Sequence, residues 1–307
     1  MCKIINNLTE FVQAILDNRQ KQIDIDNNRI ADEEVFLDYE RIEFLFRGQS
    51  NENYKLVPSL GRDKCYEFDI GGLINNERNL IEKAKFLLPD IFKNDMSPLE
   101  LLALLQHHGI YTRLMDLTEN PLVALYFACC SSPKYNGEFF IFKHNNFQIS
   151  NLPIMNAIAD SYKIMFPGHA MKLTEFYHKA NLKNYFIDNY GEHTNDNDGA
   201  TRIEECCSKP FFVYAPIRKG RQKMQYSRYI LFPNKIGNDI RDQNQKVFKP
   251  IIEPIPKNDP CIKERFIIPS SAKNKIMTEL RVFGISKEIL FCDNTDIVCE
   301  GILNEYK

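Results

Sequence analysis

A cluster of polar side chains lies between two apolar segments in the middle of the chain. A Leu-rich run from Leu101 precedes it, and the apolar run from Pro121 to Cys130 comes after it. Because both flanking runs have the composition of buried helices, the polar groups between them must either satisfy one another or face a ligand. We therefore predict a functional site here. The ionisable and hydroxyl-bearing members of this cluster are His107, His108, Thr112, Arg113, Asp116 and Thr118.

Most of these side chains have both a functional and a structural interpretation. His107 could act as a general base or stack on a nucleotide, and Asp116 is a candidate catalytic carboxylate. A histidine at a helix C-terminus also interacts favourably with the helix dipole, which is the simpler explanation of His108. Arg113 and Asp116 are close enough in sequence to pair within one turn, and Thr118 could cap the next helix. The residue types thus indicate a site without identifying its reaction.

The hydrophobic pattern predicts the elements that must position this cluster. Apolar residues at helical spacing indicate helices, and short aromatic or alternating runs indicate strands. Ser97 is a typical helix start and Gly284 a typical helix end. The polar segment 18–34 is expected to be a loop or a weak helix, 188–199 an exposed loop and 236–259 irregular. The predicted helices are 8–17, 73–88, 98–107, 121–130, 156–165, 174–185 and 271–283, and the predicted strands are 42–46, 138–142, 211–216, 229–232, 265–268 and 289–291.

The bulk composition is that of a globular protein. With 307 residues, 44% of them hydrophobic, the chain can bury a substantial core. Its formal net charge of -2 excludes a global basic field that would coat nucleic acid. A local basic cluster, with Tyr226 and Tyr229 nearby for stacking, is dense enough to contact the phosphates of a nucleic acid, although such runs usually form solvated faces. Its members are Arg218, Lys219, Arg221, Lys223 and Arg228.

Residue spacing argues against several common kinds of site. The nine cysteines include adjacent pairs but no Cys-x-x-Cys, and no His-x-x-x-His occurs, so we predict no bound metal and reduced thiols in a cytoplasmic protein. The N-terminus lacks a secretion signal, and no segment approaches the roughly 20 apolar residues that cross a bilayer, so no membrane association is expected. P-loop, dinucleotide and serine-elbow motifs are also missing. The polar cluster is the main candidate that is left.

Several blocks around this cluster resemble the FRG-domain family, which is named for an aromatic-Arg-Gly motif. They keep the family's order and spacing over roughly residues 42–145. FRG domains are common in bacteria and their mobile elements, and the resemblance by itself implies little mechanism. The blocks are Phe46-Arg47-Gly48-Gln49, Leu56-Val57-Pro58-Ser59-Leu60 with Arg62, Gln106-His107-His108-Gly109-Ile110, Thr112 to Thr118, and Asn120 to Ala128.

A weaker block and a second likeness extend this resemblance. Arg221, Gln225 and Tyr229 fall where FRG domains usually have an Arg, a Gln and a Gly-x-Phe, with Ser227 in place of the Gly. The order of elements also looks like that of ADP-ribosyltransferases of the Arg-Ser-Glu type. In both, a strand ends in Arg-Gly, a hydroxyl-bearing segment precedes a Pro-x-x-Ala-x-x-Phe-Ala helix, and a polar strand comes late in the chain.

The transferase likeness implies roles for individual residues. Arg47 would anchor NAD, since a planar guanidinium suits phosphate or carboxamide groups, and Gly48 would let the backbone approach the ligand. Asp116 and Thr118 would brace the pocket. Gln225 would stand where these transferases have a catalytic Glu. Because glutamine cannot carry the negative charge that an oxocarbenium-like centre needs, transfer would require another carboxylate, with Asp116 the first candidate.

We therefore predict an α+β fold with a single domain, in which a small mixed or antiparallel sheet like that of ADP-ribosyltransferases is surrounded by helices. An N-terminal helical extension would occupy residues 1–41. The FRG-like domain would occupy 42–292 with a helical insertion at about 150–205, and a tail would occupy 293–307. The predicted catalytic residues are Asp116, His107 and Gln225, and the predicted cofactor-binding residues are Arg47, Gly48, Gln49, Thr112, Arg113 and Thr118.

The function expected from these residues is recognition of NAD or another nucleotide, as in an ADP-ribosyltransferase-like toxin or anti-phage effector. The alternative is a non-catalytic module that binds a nucleotide or a partner, in which Gln225 needs no charge. The third interpretation is a metal-dependent nuclease that uses Asp116 and His107. The motif shows no clustered carboxylates of the kind that a two-metal site needs, so the nuclease ranks last. The sequence leaves the target and the oligomeric state open.

Overall fold

A mixed sheet of seven strands lies at the centre of the fold. The computed structural model describes residues 2–31, 42–62, 72–145, 153–190, 195–208, 211–216 and 220–294. Its strands are β1 (Lys3–Ile4), β2 (Ile42–Gln49), β3 (Leu114–Thr118), β4 (Gly137–Asn145), β5 (Met171–Lys172), β6 (Phe211–Val213), β7 (Ser227–Leu231), β8 (Ile236–Asn238), β9 (Lys246–Phe248) and β10 (Ile262–Ile268).

Helices of different lengths surround this sheet. Four short 3-10 segments, near residues 60, 75, 162 and 271, occur between them in the described part of the chain. The helices are α1 (Leu8–Ala31), α2 (Glu77–Leu87), α3 (Pro98–His107), α4 (Pro121–Cys129), α5 (Pro153–Ala159), α6 (Leu173–Lys179), α7 (Lys183–Tyr190), α8 (Asp196–Cys207), α9 (Gly220–Met224), α10 (Lys273–Val282) and α11 (Lys287–Leu290).

The strand order of the large sheet is β1-β10-β4-β2-β3-β7-β6, and β5, β9 and β8 form a small second sheet in that order. β1 runs parallel to β10, and the other neighbours in the large sheet pair antiparallel. The predicted α+β class, with a mixed sheet and surrounding helices, is therefore confirmed. The site residues come from the middle of this sheet, where β2, β3 and β7 lie side by side.

The side chains of each strand alternate between different cores, as the two-residue period of a strand requires. In β4, Phe139 packs into a core with α1, α4 and α10, whereas its neighbour Phe140 packs into a core on the opposite face. A third core joins Leu114 of β3 to the helices α3, α5 and α6. Burial on both faces explains why the strand residues from Phe139 to Phe142 are continuously apolar.

Helix α4 packs very closely on the sheet. A Cβ added to Gly48 would lie 1.8 Å from the carbonyl oxygen of Ala124, and one added to Gly137 would lie 2.2 Å from that of Ala128. These distances are far below van der Waals contact, so only glycine allows the helix and the two strands to approach in this way. The close approach made by Gly48 is therefore to a helix.

Helix α1 is longer than the pattern of its apolar residues predicts. The polar segment after Asp17 is helical as far as Ala31 because its side chains bond to strand β10. Asn18 donates to the Glu264 carboxylate, and Lys263 donates to Oε1 of Gln22 over 2.9 Å. These are long-range contacts, which local hydrophobic periodicity cannot reveal.

The polar segment 188–199 is not a loop throughout. α8 begins at Asp196, where the side chains of Asn195 and Asp198 form a reciprocal capping box with the backbone. Residues 191–194 lie outside the described part. Asn and Asp are typical of loops but also of helix starts, and the second property decides the structure here.

Three further predictions concern the second half of the chain. The predicted strand at 289–291 is wrong, because these residues belong to α11 and the turn after it, and a short apolar run does not distinguish a strand from a buried helical turn. Gly284 ends α10 as predicted, with φ of 72°. The segment 236–259 contains the short strands β8 and β9. Between β6 and β7, the residues from Gly220 to Met224 form the short helix α9.

The predicted domain boundaries stay predictions. β1 and α1, from the predicted N-terminal extension, contribute to the same sheet and core as β10 and α10. The predicted insertion contains α5 to α8 and packs on α3. Within the described residues, no helix combines the length and the hydrophobicity that crossing a bilayer requires.

Candidate functional site

A cleft of about 300 Å³ lies at the place where β2 and β3 separate. The two strands share a single pair of register partners, Phe46 and Thr118. Beyond that pair, the side chain of Arg47 bonds to the backbone of β3. Seven of the nine predicted site residues line the cleft, whereas Thr112 and Arg113 do not. The seven are Arg47, Gly48, Gln49, His107, Asp116, Thr118 and Gln225.

Arg47 connects β2 to β3 across this gap. Its Nη1 donates to the backbone carbonyl oxygen of Asp116 over 2.6 Å, so two residues 69 positions apart in sequence meet at the cleft. Its Nε is buried and has no hydrogen-bond partner among the described residues. Burial lowers the pKa of Arg47 to about 10, which still leaves the guanidinium charged at neutral pH. Arg47 is thus a half-buried cation whose Nε–H group is not used by the described residues.

Two further arginines face the same cleft. Arg62 is exposed and near enough to Arg47 to lower the pKa of that residue further, and Arg221 comes from α9. Burial lowers the pKa of Arg221, whose guanidinium lies 4.3 Å from the centre of the Phe291 ring. Asp116 is the carboxylate among the described lining residues. Three guanidinium groups against one carboxylate make the cleft electropositive.

A chain of hydrogen bonds orients the Asp116 carboxylate. Thr112 donates to Oε1 of Gln106, and Nε2 of Gln106 donates to Oδ1 of Asp116 over 2.7 Å. Thr112 is buried and lies behind the cleft, so it acts on the cleft through Gln106. Sequence reasoning placed Thr112 against the ligand and did not select Gln106. The signal for Gln106 was its position at the start of a block that resembles the FRG family.

Arg113 is a structural residue, 1% exposed, and faces away from the cleft. Its Nε donates to the Glu77 carboxylate over 2.8 Å, and its Nη2 forms a second bond to the same group. Its Nη1 donates to Asn234 over 3.1 Å and to the carbonyl oxygen of Phe232 over 3.2 Å. The guanidinium is therefore fully engaged with α2 and the segment after β7. It contacts neither the cleft nor Asp116.

Thr118 connects β3 to the turn after α9, and its hydroxyl also accepts from the amide of Asn120 over 3.0 Å. Its hydroxyl donates to the carbonyl oxygen of Gln225 over 2.6 Å. The cap of α4 is Asn120, whose side chain accepts from the amide of Leu122 over 2.9 Å. Nε2 of Gln225 donates to the carbonyl oxygen of Leu290 over 3.0 Å. Gln225 thus joins β3 to the C-terminal segment through its backbone and its side chain.

Residues after α10 pack against residues that line the cleft. Phe291 packs edge-on against Phe127, at 6.3 Å between ring centres, and under the guanidinium of Arg221. Asp293 accepts from the backbone amide of Arg221 over 3.0 Å and lies 3.6 Å from Nε2 of His107. His107 is therefore close to a carboxylate from the C-terminal segment. Asp293 belongs to none of the motifs selected from the sequence, and Phe291 was selected only as the last residue of a predicted strand.

The predicted basic cluster does not act as one surface. Arg221 faces the cleft, whereas Arg228 pairs with Glu119 at 2.6 Å and lies over the ring of Tyr214. Lys223 is exposed on α9 and does not line the cleft. Arg218 and Lys219 lie outside the described residues. A contact of this cluster with nucleic acid stays a prediction.

The cysteines of the described residues carry free thiols. Burial raises the pKa of Cys129, to about 12, and also that of Cys130, which lines the cleft. No three His, Cys, Asp or Glu side chains in the described ranges are grouped so that they could hold a metal ion. The polar groups of the cleft are therefore mainly guanidinium, amide and hydroxyl groups.

Comparison with known proteins finds a match to a family model that covers part of this chain. No curated protein matches the chain, and no solved structure matches it. The matched segment contains β2, α3, β3 and α4, and with them Arg47, Gln106 and Asp116 of the cleft. Residues 42–137 match the family model of the FRG domain, which confirms the resemblance seen in the sequence.

Proposed function

We propose that the cleft recognises NAD or a related nucleotide. The observation that supports this most strongly is the convergence of Arg47, Arg62 and Arg221 on one cavity, where Asp116 is the one carboxylate among the described lining residues. Guanidinium groups bind phosphate oxygens through charge-assisted hydrogen bonds. Such an excess of cations is costly in an empty cleft, and an anionic ligand would offset this cost.

Aromatic side chains at the cleft suit the other part of a nucleotide. Phe127 lines the cleft beside Phe291, and Tyr54 lines it with about half of its surface exposed. Aromatic rings bind nucleobases by stacking, and each stacked base contributes about 1–3 kcal/mol. A ligand with phosphates and a flat ring would therefore use both kinds of side chain.

Binding of NAD to the purified protein can be measured by calorimetry. The test compares the affinities of two variants, each of which lacks one exposed cation. Arg62→Ala removes a cation that lines the cleft and should weaken binding about 10- to 100-fold, as expected for loss of a charged hydrogen bond. Lys223→Ala removes an exposed cation on α9 that lies outside the cleft, and should leave the affinity within about 2-fold. Equal effects of the two substitutions, or no binding of NAD to the unsubstituted protein, would contradict the proposal.

A second candidate function is transfer of ADP-ribose from NAD. In this reaction the bond between ribose C1 and the nicotinamide nitrogen breaks, and nicotinamide leaves with the electron pair. A nucleophile on the target then bonds to C1 and loses its proton. The Asp116 carboxylate supports this candidate because Gln106 holds it in the cleft, where it could stabilise the positive charge at C1.

The two candidates differ in turnover. Transfer predicts release of nicotinamide from NAD, and Asp116→Asn should abolish that release while NAD still binds, because the amide keeps the shape but loses the charge. Recognition alone predicts saturable binding with no release in either protein. Gln225 supports recognition, since its neutral amide donates to the Leu290 carbonyl oxygen and holds no charge.

A further inference from the structure

Two buried polar atoms at the end of β2 have no hydrogen-bond partner among the described residues. They are Nε of Arg47, a donor, and Oε1 of Gln49, an acceptor. Both side chains line the cleft, and Gln49 is only 5% exposed. A buried polar group without a partner costs about 1–3 kcal/mol, so native proteins rarely keep two at one place without a use for them.

The positions of the two atoms are fixed by neighbouring contacts. Residues 47 and 49 lie on the same side of β2, about 6.6 Å apart along the strand at the usual rise per residue. The pairing of β2 with β4, in which Gln49 is opposite Glu138, holds the strand in this register. Nη1 of Arg47 is engaged by the Asp116 carbonyl oxygen, and Nε2 of Gln49 donates to the Lys55 carbonyl oxygen. These contacts leave Nε of Arg47 available as a donor and Oε1 of Gln49 available as an acceptor.

This pair distinguishes among possible ligand groups. A phosphate group offers acceptors only, so it could satisfy Arg47 but would be repelled by Oε1 of Gln49. A planar group that carries an acceptor beside an N–H donor satisfies both atoms. Primary carboxamides have this arrangement, and so do the amino-bearing edges of nucleobases.

We propose that Arg47 and Gln49 form a subsite for such an amide-like edge, in which Nε of Arg47 donates to the ligand and Oε1 of Gln49 accepts from it. This inference rests on the proposed binding of NAD. It assigns the phosphates of the ligand to Arg62 and Arg221, which also line the cleft. NAD offers two suitable groups, the nicotinamide carboxamide and the amino edge of adenine.

Calorimetry with three dinucleotides separates these two groups. The ligands are NAD, its 3-acetylpyridine analogue, which lacks the carboxamide N–H, and its hypoxanthine analogue, which lacks the adenine amino group. We expect one analogue to bind about 10- to 100-fold more weakly than NAD, because it leaves the Gln49 acceptor unpaired. A loss with the first analogue places nicotinamide in the subsite, and a loss with the second places adenine there.

Substitution of Gln49 links that discrimination to the subsite. Gln49→Leu removes the acceptor at similar volume and should bind NAD and the weaker analogue equally well. Gln22→Leu is the matched control, since Gln22 is a buried glutamine, 4% exposed, that does not line the cleft, and it should keep the discrimination. Equal binding of all three dinucleotides, or full discrimination in Gln49→Leu, would overturn the inference about the subsite but not the proposed binding of NAD. If none of them binds, the proposed function fails together with the inference.

Discussion

Gly48→Ala is expected to lower the free energy of unfolding by at least about 3 kcal/mol and to leave little folded protein. The added methyl group would lie 1.8 Å from the Ala124 carbonyl oxygen and 2.6 Å from the Ala128 amide nitrogen. Both contacts are with the backbone of α4, which cannot move as a flexible side chain can. The helix must therefore shift away from β2 and disturb the core beneath it. Urea denaturation monitored by circular dichroism measures the change.

Gly109→Ala is the control for this substitution. Gly109 has φ of 82° and nothing within 4 Å of an added Cβ, so the methyl group there meets only backbone strain. We expect a loss of about 1 kcal/mol at that position. If Gly48→Ala were no more destabilising than Gly109→Ala, the close contact between β2 and α4 would be incorrect. The glycine of the aromatic-Arg-Gly motif would then need another explanation.

Arg113→Ala is the second substitution with a large expected effect, a loss of about 3–5 kcal/mol in the free energy of unfolding. It removes one partner of a buried ion pair and leaves the Glu77 carboxylate, which is 4% exposed, without its cation. It also leaves the side chain of Asn234 and the carbonyl oxygen of Phe232 without a donor. Thermal unfolding of the variant beside the unsubstituted protein is the direct measurement.

The double variant Arg113→Leu with Glu77→Leu tests whether the unpaired charge causes this loss. Replacing both partners by apolar groups should recover part of the stability, because no buried carboxylate is then left alone. If Arg113 instead bound the ligand, Arg113→Ala would weaken NAD binding and leave the unfolding temperature nearly unchanged. That outcome would contradict the structural role.

The cleft was predictable in part because its residues belong to recognisable blocks. The polar character of Asp116, Thr118 and Arg47 indicated a site, and the family resemblance brought these separated residues together. The expected pairing of Arg113 with Asp116 is wrong, because it assumed that both residues lie in one turn, whereas Arg113 pairs with Glu77. Asp116 is in strand β3, and residues three positions apart along an extended chain point to opposite sides.

Other parts of the site depend on contacts that a single sequence does not display. Phe291 and Asp293 contact Arg221 of the cleft because α11 is a helical turn, whereas the apolar run there was predicted as a strand. Arg62 lies within a block of the resemblance, but its role depends on its distance from Arg47 in the folded chain. Local signals such as the Ser97 cap and the Gly284 stop were correct, since they are properties of a few adjacent residues.

The segment that matches the FRG model cannot be treated as a portable module. β3 pairs with β7 and β2 pairs with β4, yet β7 lies beyond residue 137 and β4 only begins there. Excising residues 42–137 would expose two long apolar strand edges, which favour aggregation between copies. A truncated chain of this kind should accumulate in inclusion bodies when it is expressed alone. Sequence surveys of FRG proteins should therefore extend past the C-terminal end of the matched region, because the partner strands that complete the sheet come from there.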